Sequence, residues 1–196
     1  NCYTFANASS LTYEVDDTWD SPEIKGPYVF EPAGTNFQQD TLFALNTHAL
    51  LGYIKGRDQL PVSLELKIPT GLVASSSLQA QAGKYVASSY QKLTDAPILV
   101  AAPDTVHLHL ANAEILISVY SPNQKIKASE IATQVRPLLK AQLYYLGGRF
   151  PVNKYAFLIV MSDYLKNGSY GALEHAQSSF YYLPEDSISV MGPVIR

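Results

Sequence analysis

The sequence predicts a mainly β protein: a β-sandwich-like N-terminal domain over residues 1–100, followed by an α+β portion over residues 101–196. Three features predict it. Up to about residue 100, short alternating apolar and polar runs recur between Pro, Gly, Asn and Asp, with no convincing helix among them. Between residues 128 and 146, apolar residues first recur at helical spacing. The stretch 155–163 then carries an uninterrupted apolar run, bounded by Pro151-Val152-Asn153 and Lys166-Asn167-Gly168, which reads as a strand buried on both faces.

Taken in order, Leu11-Thr12-Tyr13-Glu14-Val15 alternates, and Tyr28-Val29-Phe30 and Thr41-Leu42-Phe43-Ala44-Leu45 follow turn-like Gly26-Pro27 and Pro32-Ala33-Gly34-Thr35-Asn36. Ser63-Leu64-Glu65-Leu66-Lys67-Ile68-Pro69 is a half-buried antiparallel strand, with Leu64, Leu66 and Ile68 on one face and Glu65 and Lys67 on the other. Ala74-Ser75-Ser76-Ser77 and Gln79-Ala80-Gln81-Ala82-Gly83 are small and polar and read as loop. The domain boundary falls between Leu93 and Thr105, and residues 105–120 read as one long strand. In the helical stretch, Ile131, Val135, Leu138, Leu139 and Leu146 share a face, Ser129 is the expected N-cap and Gly147-Gly148 the stop. Pro137 predicts a kink or two shorter helices. A last strand, residues 171–183, begins with two small residues and then sets Glu174 beside His175.

Composition excludes several functions. The chain has 196 residues, 47% hydrophobic and 16% charged, enough for one large or two small cores. A formal net charge of -3 with no cluster of Lys or Arg argues against nucleic acid or an anionic membrane surface as a partner. No apolar run approaches the ~20 residues of a transmembrane span, and the start, Asn1-Cys2-Tyr3-Thr4, lacks the basic and apolar regions of a signal peptide. The single cysteine allows neither an internal disulfide nor a thiolate zinc cluster. Cys2 stands where a bacterial lipoprotein carries its acylated cysteine; the plainer reading is a free thiol on a frayed terminus.

Few residues carry candidate chemistry. His107 and His109 share a strand face at a spacing that supplies two metal ligands, but no third ligand stands near them in sequence. His48 reads as structural. There is no phosphate loop, no Gly-x-Ser-x-Gly elbow to activate Ser75, Ser76 or Ser77, and no histidine followed by glutamate, so His-Glu-x-x-His does not occur. No catalytic residue and no metal ligand is therefore assigned. Glu174 is the exception that needs explaining. Burying a carboxylate costs several kcal/mol unless it is paired or meets a ligand, so Glu174 is expected to face a cleft, with Leu173 and His175 turned the other way by alternation.

The same stretch carries a resemblance. Gly171-Ala172-Leu173-Glu174-His175, followed by Ser178-Ser179 and preceded by Tyr155-Ala156-Phe157-Leu158, resembles the Gly-Gly-Leu-Glu-His plus Ser-Thr pattern of the glycyl aminopeptidase family. These are zinc metallopeptidases of gluzincin type that often carry a C-terminal PDZ domain. Tyr90-Gln91-Lys92-Leu93-Thr94-Asp95-Ala96-Pro97-Ile98 is similar to that family's Tyr-x-x-Leu-x-Asp-Ser-Pro segment, and Leu66-Lys67-Ile68-Pro69-Thr70-Gly71-Leu72 to its Pro-x-Gly-Trp turn. Gly147-Gly148-Arg149-Phe150-Pro151 fits its approach to the apolar strand, so the resemblance covers most of residues 64–185. Two departures stand out: Ala172 replaces the second glycine, as in the Gly-Ala-Met-Glu-Asn strand of the wider aminopeptidase group, and Ala176-Gln177 replace Arg-Asn.

The resemblance implies a β-rich N-terminal domain and the start of a thermolysin-like catalytic domain, with the zinc motif a few tens of residues beyond the strand and thus past Arg196. It implies substrate binding by Gly171, Ala172, Leu173, Glu174 and His175, the small residues admitting a peptide backbone and Glu174 binding the substrate's free amino group. It also implies zinc in the full-length parent but none in this stretch, a peptide substrate and the rest of the catalytic domain as partners, and a periplasmic or cell-envelope location. By itself the stretch is expected to be inactive and to self-associate through the apolar faces of residues 155–161 and 188–195. Composition alone would favour a different class, a non-catalytic β-sandwich binding module with an α+β extension.

Overall fold

A computed structural model of the chain describes residues 3–19, 30–102, 104–162 and 170–186. Its first half holds a single 3-10 turn at Glu31–Ala33, then β1 (Asn36–Gln38), β2 (Leu42–Leu45), α1 (Thr47–Leu50), β3 (Val62–Leu64), β4 (Val73–Ser75), β5 (Gln79–Gln81), β6 (Lys84–Ala87), α2 (Tyr90–Thr94) and β7 (Ile98–Ala101). Its second half holds β8 (Asp104–Leu110), β9 (Ala113–Tyr120), α3 (Ala128–Tyr145), β10 (Lys154–Ser162), β11 (Gly171–Glu174) and β12 (Ser178–Pro184).

These elements stack in four layers. A small antiparallel sheet, β3-β6-β5, lies against an antiparallel sheet in the order β1-β2-β7-β4; Val62, Leu64 and Tyr85 of the first pack on Ile98 and Val100 of the second. The other face of the four-stranded sheet, with Leu42, Ala44, Leu99 and Ala101, packs on Leu116, Leu158, Val160 and Phe180 of a five-stranded sheet. That sheet has the order β11-β12-β10-β9-β8, and its far face is covered by α3. The two halves of the chain thus share a core, and β7, buried on both faces, stands between two of them.

Strand β10 is buried on both faces, as its apolar run predicts: Ala156, Leu158 and Val160 face the N-terminal half and Ile159 and Met161 face the α3 side. It pairs in parallel with both β9 and β12. The β9–β10 crossover is made by α3, whose Ala128, Ile131, Ala132, Val135 and Leu139 recur every three to four residues and bury one stripe.

Several expectations are corrected. Residues 11–15 form no strand; they run exposed over the surface, where the Tyr13 hydroxyl donates to the Leu50 carbonyl at 2.8 Å and accepts from Gly52 N–H at 3.1 Å. The strand at 63–69 shrinks to β3, although Leu64 and Leu66 keep their inward alternation. Ala74 and Ser75 end β4, while Ser76 and Ser77 are loop as expected; all three serines are nevertheless buried, Ser76 Oγ donating to the Pro97 carbonyl at 3.1 Å. Residues 79–83 begin a hairpin that turns at Ala82-Gly83, both at positive φ, the geometry that matches strand twist. The single strand over 105–120 is a hairpin as well. It turns at Ala111-Asn112, with Leu110 facing Ala113, and Asn112 braces the turn by donating to the Phe150 and Val152 carbonyls and accepting from Phe150 N–H.

The helix also differs. It is one helix, not two, because Pro137 falls on its exposed face, where water can meet the carbonyl that loses its partner. Its start is capped not by Ser129 but by acidic groups: Ala128 N–H donates to Asp104 Oδ2 at 3.0 Å and Lys127 N–H to Glu130 Oε2 at 2.9 Å. The Gly147-Gly148 stop is as expected, Gly148 N–H reaching back to Leu143 and Gly147 N–H to Tyr144 in a Schellman arrangement. Cys2, Tyr28, Val29, Asp163 and residues 188–195 lie outside the described residues.

Candidate functional site

The expected last strand is two strands. Chain direction reverses at residues 175–177, where His175 N–H donates to the Ser178 carbonyl at 2.8 Å, so β11 becomes the outer strand of the sheet, antiparallel to β12. Glu174 therefore sits at the end of an edge strand rather than in the middle of an apolar sheet. Among the described residues, the outer side of β11 has no strand paired to it. Such an edge offers unpaired backbone groups to any extended peptide.

Cross-strand register assigns the faces. Ala172 stands opposite Tyr181 and Glu174 opposite Ser179, so these four share the α3 side of the sheet; Gly171, Leu173 and His175 turn toward the N-terminal half. Ala172 and Glu174 are exposed, while Gly171, Leu173 and His175 are half-buried. On the Glu174 side lies an aromatic row: Tyr155 and Phe157 with ring centres 5.1 Å apart, and Phe157 and Tyr181 at 6.4 Å. Burial pushes the Tyr155 phenol above its ordinary pKa, the nearby Ser179 hydroxyl pulls it back, and the Glu174 charge pushes it further up. Tyr181 is raised by the same burial, lowered by Ser179, and raised by Tyr155 and Glu174. The carboxylate is thus within electrostatic reach of both phenols. Among the described residues, the buried Ser179 hydroxyl near them has no partner of hydrogen-bonding geometry.

The opposite side of β11 is filled by the chain itself. A side chain at Gly171 would place its Cβ 2.4 Å from Phe30 Cε2, so the glycine makes room for the Phe30 ring. Beyond it, Trp19 meets Tyr182 edge-on with ring centres 4.7 Å apart and donates Nε1–H to the Glu31 carbonyl at 2.8 Å. His175 points down to Asp95: its Nδ1 is 3.1 Å from Asp95 Oδ1, and Ala176 N–H donates to Asp95 Oδ2 at 3.0 Å. Neither Phe30 nor Asp95 is identified as a site residue by the sequence. Asp95 stands inside the Leu-x-Asp-Ala-Pro segment that carries the resemblance, but nothing in that segment says which residue, 80 positions later, it will meet.

The remaining candidates lie elsewhere. His107 and His109 are on β8, the opposite edge of the sheet, and His107 Nδ1 contacts Glu114 Oε1 at 2.8 Å across the hairpin. Among the described residues, no three His, Cys, Asp or Glu side chains converge as metal ligands. His48 is exposed on α1, and Ser76 is held by backbone contacts in the core. No described helix is long and apolar enough to cross a membrane.

With this geometry in place, known proteins give two kinds of likeness. The family model of the peptidase M61 N-terminal domain matches residues 2–102. Among curated proteins, none matches. The crystal structure of an aminopeptidase N family protein from Idiomarina loihiensis superposes with a TM-score of 0.66 at 17% identity, over 81% of this chain and 28% of that one. This chain therefore spans little more than a quarter of that protein's length and shares its fold there. An M1 zinc metallopeptidase from Deinococcus radiodurans aligns with a TM-score of only 0.37 at 15% identity, over 75% of this chain and 36% of its own.

Proposed function

Because the chain belongs to the peptidase M61 family, whose N-terminal domain model matches its residues 2–102, we propose that it is the N-terminal part of a zinc-dependent aminopeptidase that supplies the substrate-binding strand. In this reading residues 1–100 are the β-sandwich-like domain and residues 101–196 begin a thermolysin-like catalytic domain of gluzincin type. In the same reading zinc and the catalytic groups lie in the rest of the parent enzyme; among the described residues His107 contacts Glu114 and no three His, Cys, Asp or Glu side chains converge. A cell-envelope location, a C-terminal PDZ domain and self-association of the isolated stretch through its apolar faces are further parts of the same proposal.

The observation that carries the proposal is the exposed Glu174 carboxylate at the end of an edge strand whose outer side, among the described residues, is unpaired. A peptide can lie along that edge as an added strand, with Gly171, Ala172 and Leu173 supplying backbone contacts and Glu174 meeting the α-ammonium where the peptide begins. His175, which faces the other way, acts on the site through its position. An aminopeptidase must distinguish a free amino terminus from an internal bond, and a charge-assisted hydrogen bond worth roughly 1.5–3 kcal/mol does so. In the intact enzyme, Glu174→Gln should lower kcat/KM for peptides with a free amino terminus roughly 10- to 100-fold and scarcely affect N-acetylated ones. Equal losses on both substrates would make Glu174 structural, and no loss on either would remove it from the site.

A further inference from the structure

The contact between Asp95 and the turn after Glu174 joins the two halves of the chain. Asp95 is the C-cap residue of α2, yet both of its carboxylate oxygens are taken by residues 80 and 81 positions later: Oδ1 by His175 Nδ1 at 3.1 Å, Oδ2 by Ala176 N–H at 3.0 Å. A carboxylate accepts and does not donate, so Nδ1 carries the proton in this pairing. His175 Nε2 is buried and has no hydrogen-bond partner among the described residues, and the His175 side chain is 11% exposed. Among the described residues the ring is thus hydrogen-bonded by Asp95 alone.

Asp95 itself stands on a rigid mount. The Thr47 hydroxyl, buried, lies 3.3, 3.0 and 3.1 Å from the carbonyls of Leu93, Thr94 and Ala96, and Asp95 N–H returns to Gln91 O at 3.0 Å. Leu93 and Ala96 are core residues on either side. By contrast, β11 is four residues long and, among the described residues, paired on one side only. An edge strand this short is weakly held by its own pairing, and its Glu174 end depends on the 175–177 turn, which Asp95 grips.

We propose that Asp95 and His175 form a clamp by which the N-terminal half positions Glu174, so that the N-terminal half takes part in selecting the substrate's amino terminus. Anchoring His175 on the inner face holds the strand's alternation in place and turns Glu174 outward. The clamp rests on the reading of Glu174 given above; Asp95 and His175 are positioning residues, touching no substrate.

The test uses the full-length enzyme with Asp95→Ala, Asp95→Asn and Glu174→Gln. In Asp95→Ala, the His175 amide, whose acceptor is Ser178 and not Asp95, should exchange at least about 10-fold faster while the β10 amides stay unchanged. The ratio of kcat/KM for free over N-acetylated peptides should fall by about as much as in Glu174→Gln. Asp95→Asn, which keeps one acceptor and the side chain's shape, should retain part of both. Unchanged exchange at His175 in Asp95→Ala overturns the clamp. Faster exchange with an unchanged ratio, while Glu174→Gln lowers it, overturns positioning and leaves the function of Glu174 standing. If Glu174→Gln itself leaves the ratio unchanged, the proposed function fails, and the link from clamp to substrate falls with it.

Discussion

Replacing Glu185 should reveal how much of this fold's stability hangs on one carboxylate. Glu185 follows β12 and is only 6% exposed, but it is surrounded by donors: Asn123 N–H at 2.9 Å, Asn123 Nδ2 at 2.7 Å, the Ser121 hydroxyl, and Lys125 N–H at a long 3.5 Å. It thereby ties the end of β12 to the turn between β9 and α3. Hydrogen bonds to a charged group contribute roughly 1.5–3 kcal/mol each, though water entering a truncated turn would recover part of that. Glu185→Ala should therefore cost about 3 kcal/mol, or roughly 6–12 °C in Tm for a domain of this size. The pH dependence identifies the cause. Burial pushes the carboxyl's pKa up, but the side-chain bonds from Ser121 and Asn123 and the backbone bonds from Asn123 and Lys125 outweigh it and hold it below its ordinary value. A depressed folded pKa means stability that is complete above the unfolded value of about 4.3 and is lost as pH falls through the folded value. Urea denaturation followed by circular dichroism should show a constant gap between wild type and Glu185→Ala from pH 7 to about 5, narrowing below ~4. Equal stabilities at pH 7, or a gap that persists undiminished in acid, would refute the reasoning.

Two further outcomes test the packing around the site. Gly171→Ala should cost about 1–2 kcal/mol, because its Cβ would meet Phe30 Cε2 at 2.4 Å, and the cost should vanish in a Phe30→Ala background, as a double-mutant cycle by chemical denaturation would show. Asn112→Ala removes the brace between the β8–β9 turn and the approach to β10 and should cost about 1–3 kcal/mol; a loss within experimental error would show that the hairpin needs no brace.

The elements legible in the residues alone are those whose signal lies within a few positions of itself. The apolar run of β10 identifies a strand buried on both faces, because a strand with helices or sheets on either side has no solvent face to mark with polar residues. The stripe of α3 and its glycine stop are local in the same way. Where local chemistry is ambiguous, the reading fails. Ala111-Asn112 and the 175–177 turn contain no glycine, so two hairpins read as long single strands. Ile98-Leu99-Val100-Ala101, a short apolar run that becomes the strand shared by two cores, goes unassigned among its neighbours.

The candidate site divides along the same line. Glu174 as an unusual carboxylate, and its alternation against Leu173 and His175, are readable because period-2 geometry is a property of the backbone itself. That β11 is an edge, that Phe30 fills the space over Gly171, and that Asp95 holds His175 are not, since each depends on which distant segments pack together. A residue's neighbours along the chain are set by covalent geometry. Its partners 80 or more positions away are set by the free energy of the whole packed arrangement, to which Thr47, Leu93 and the two sheets all contribute.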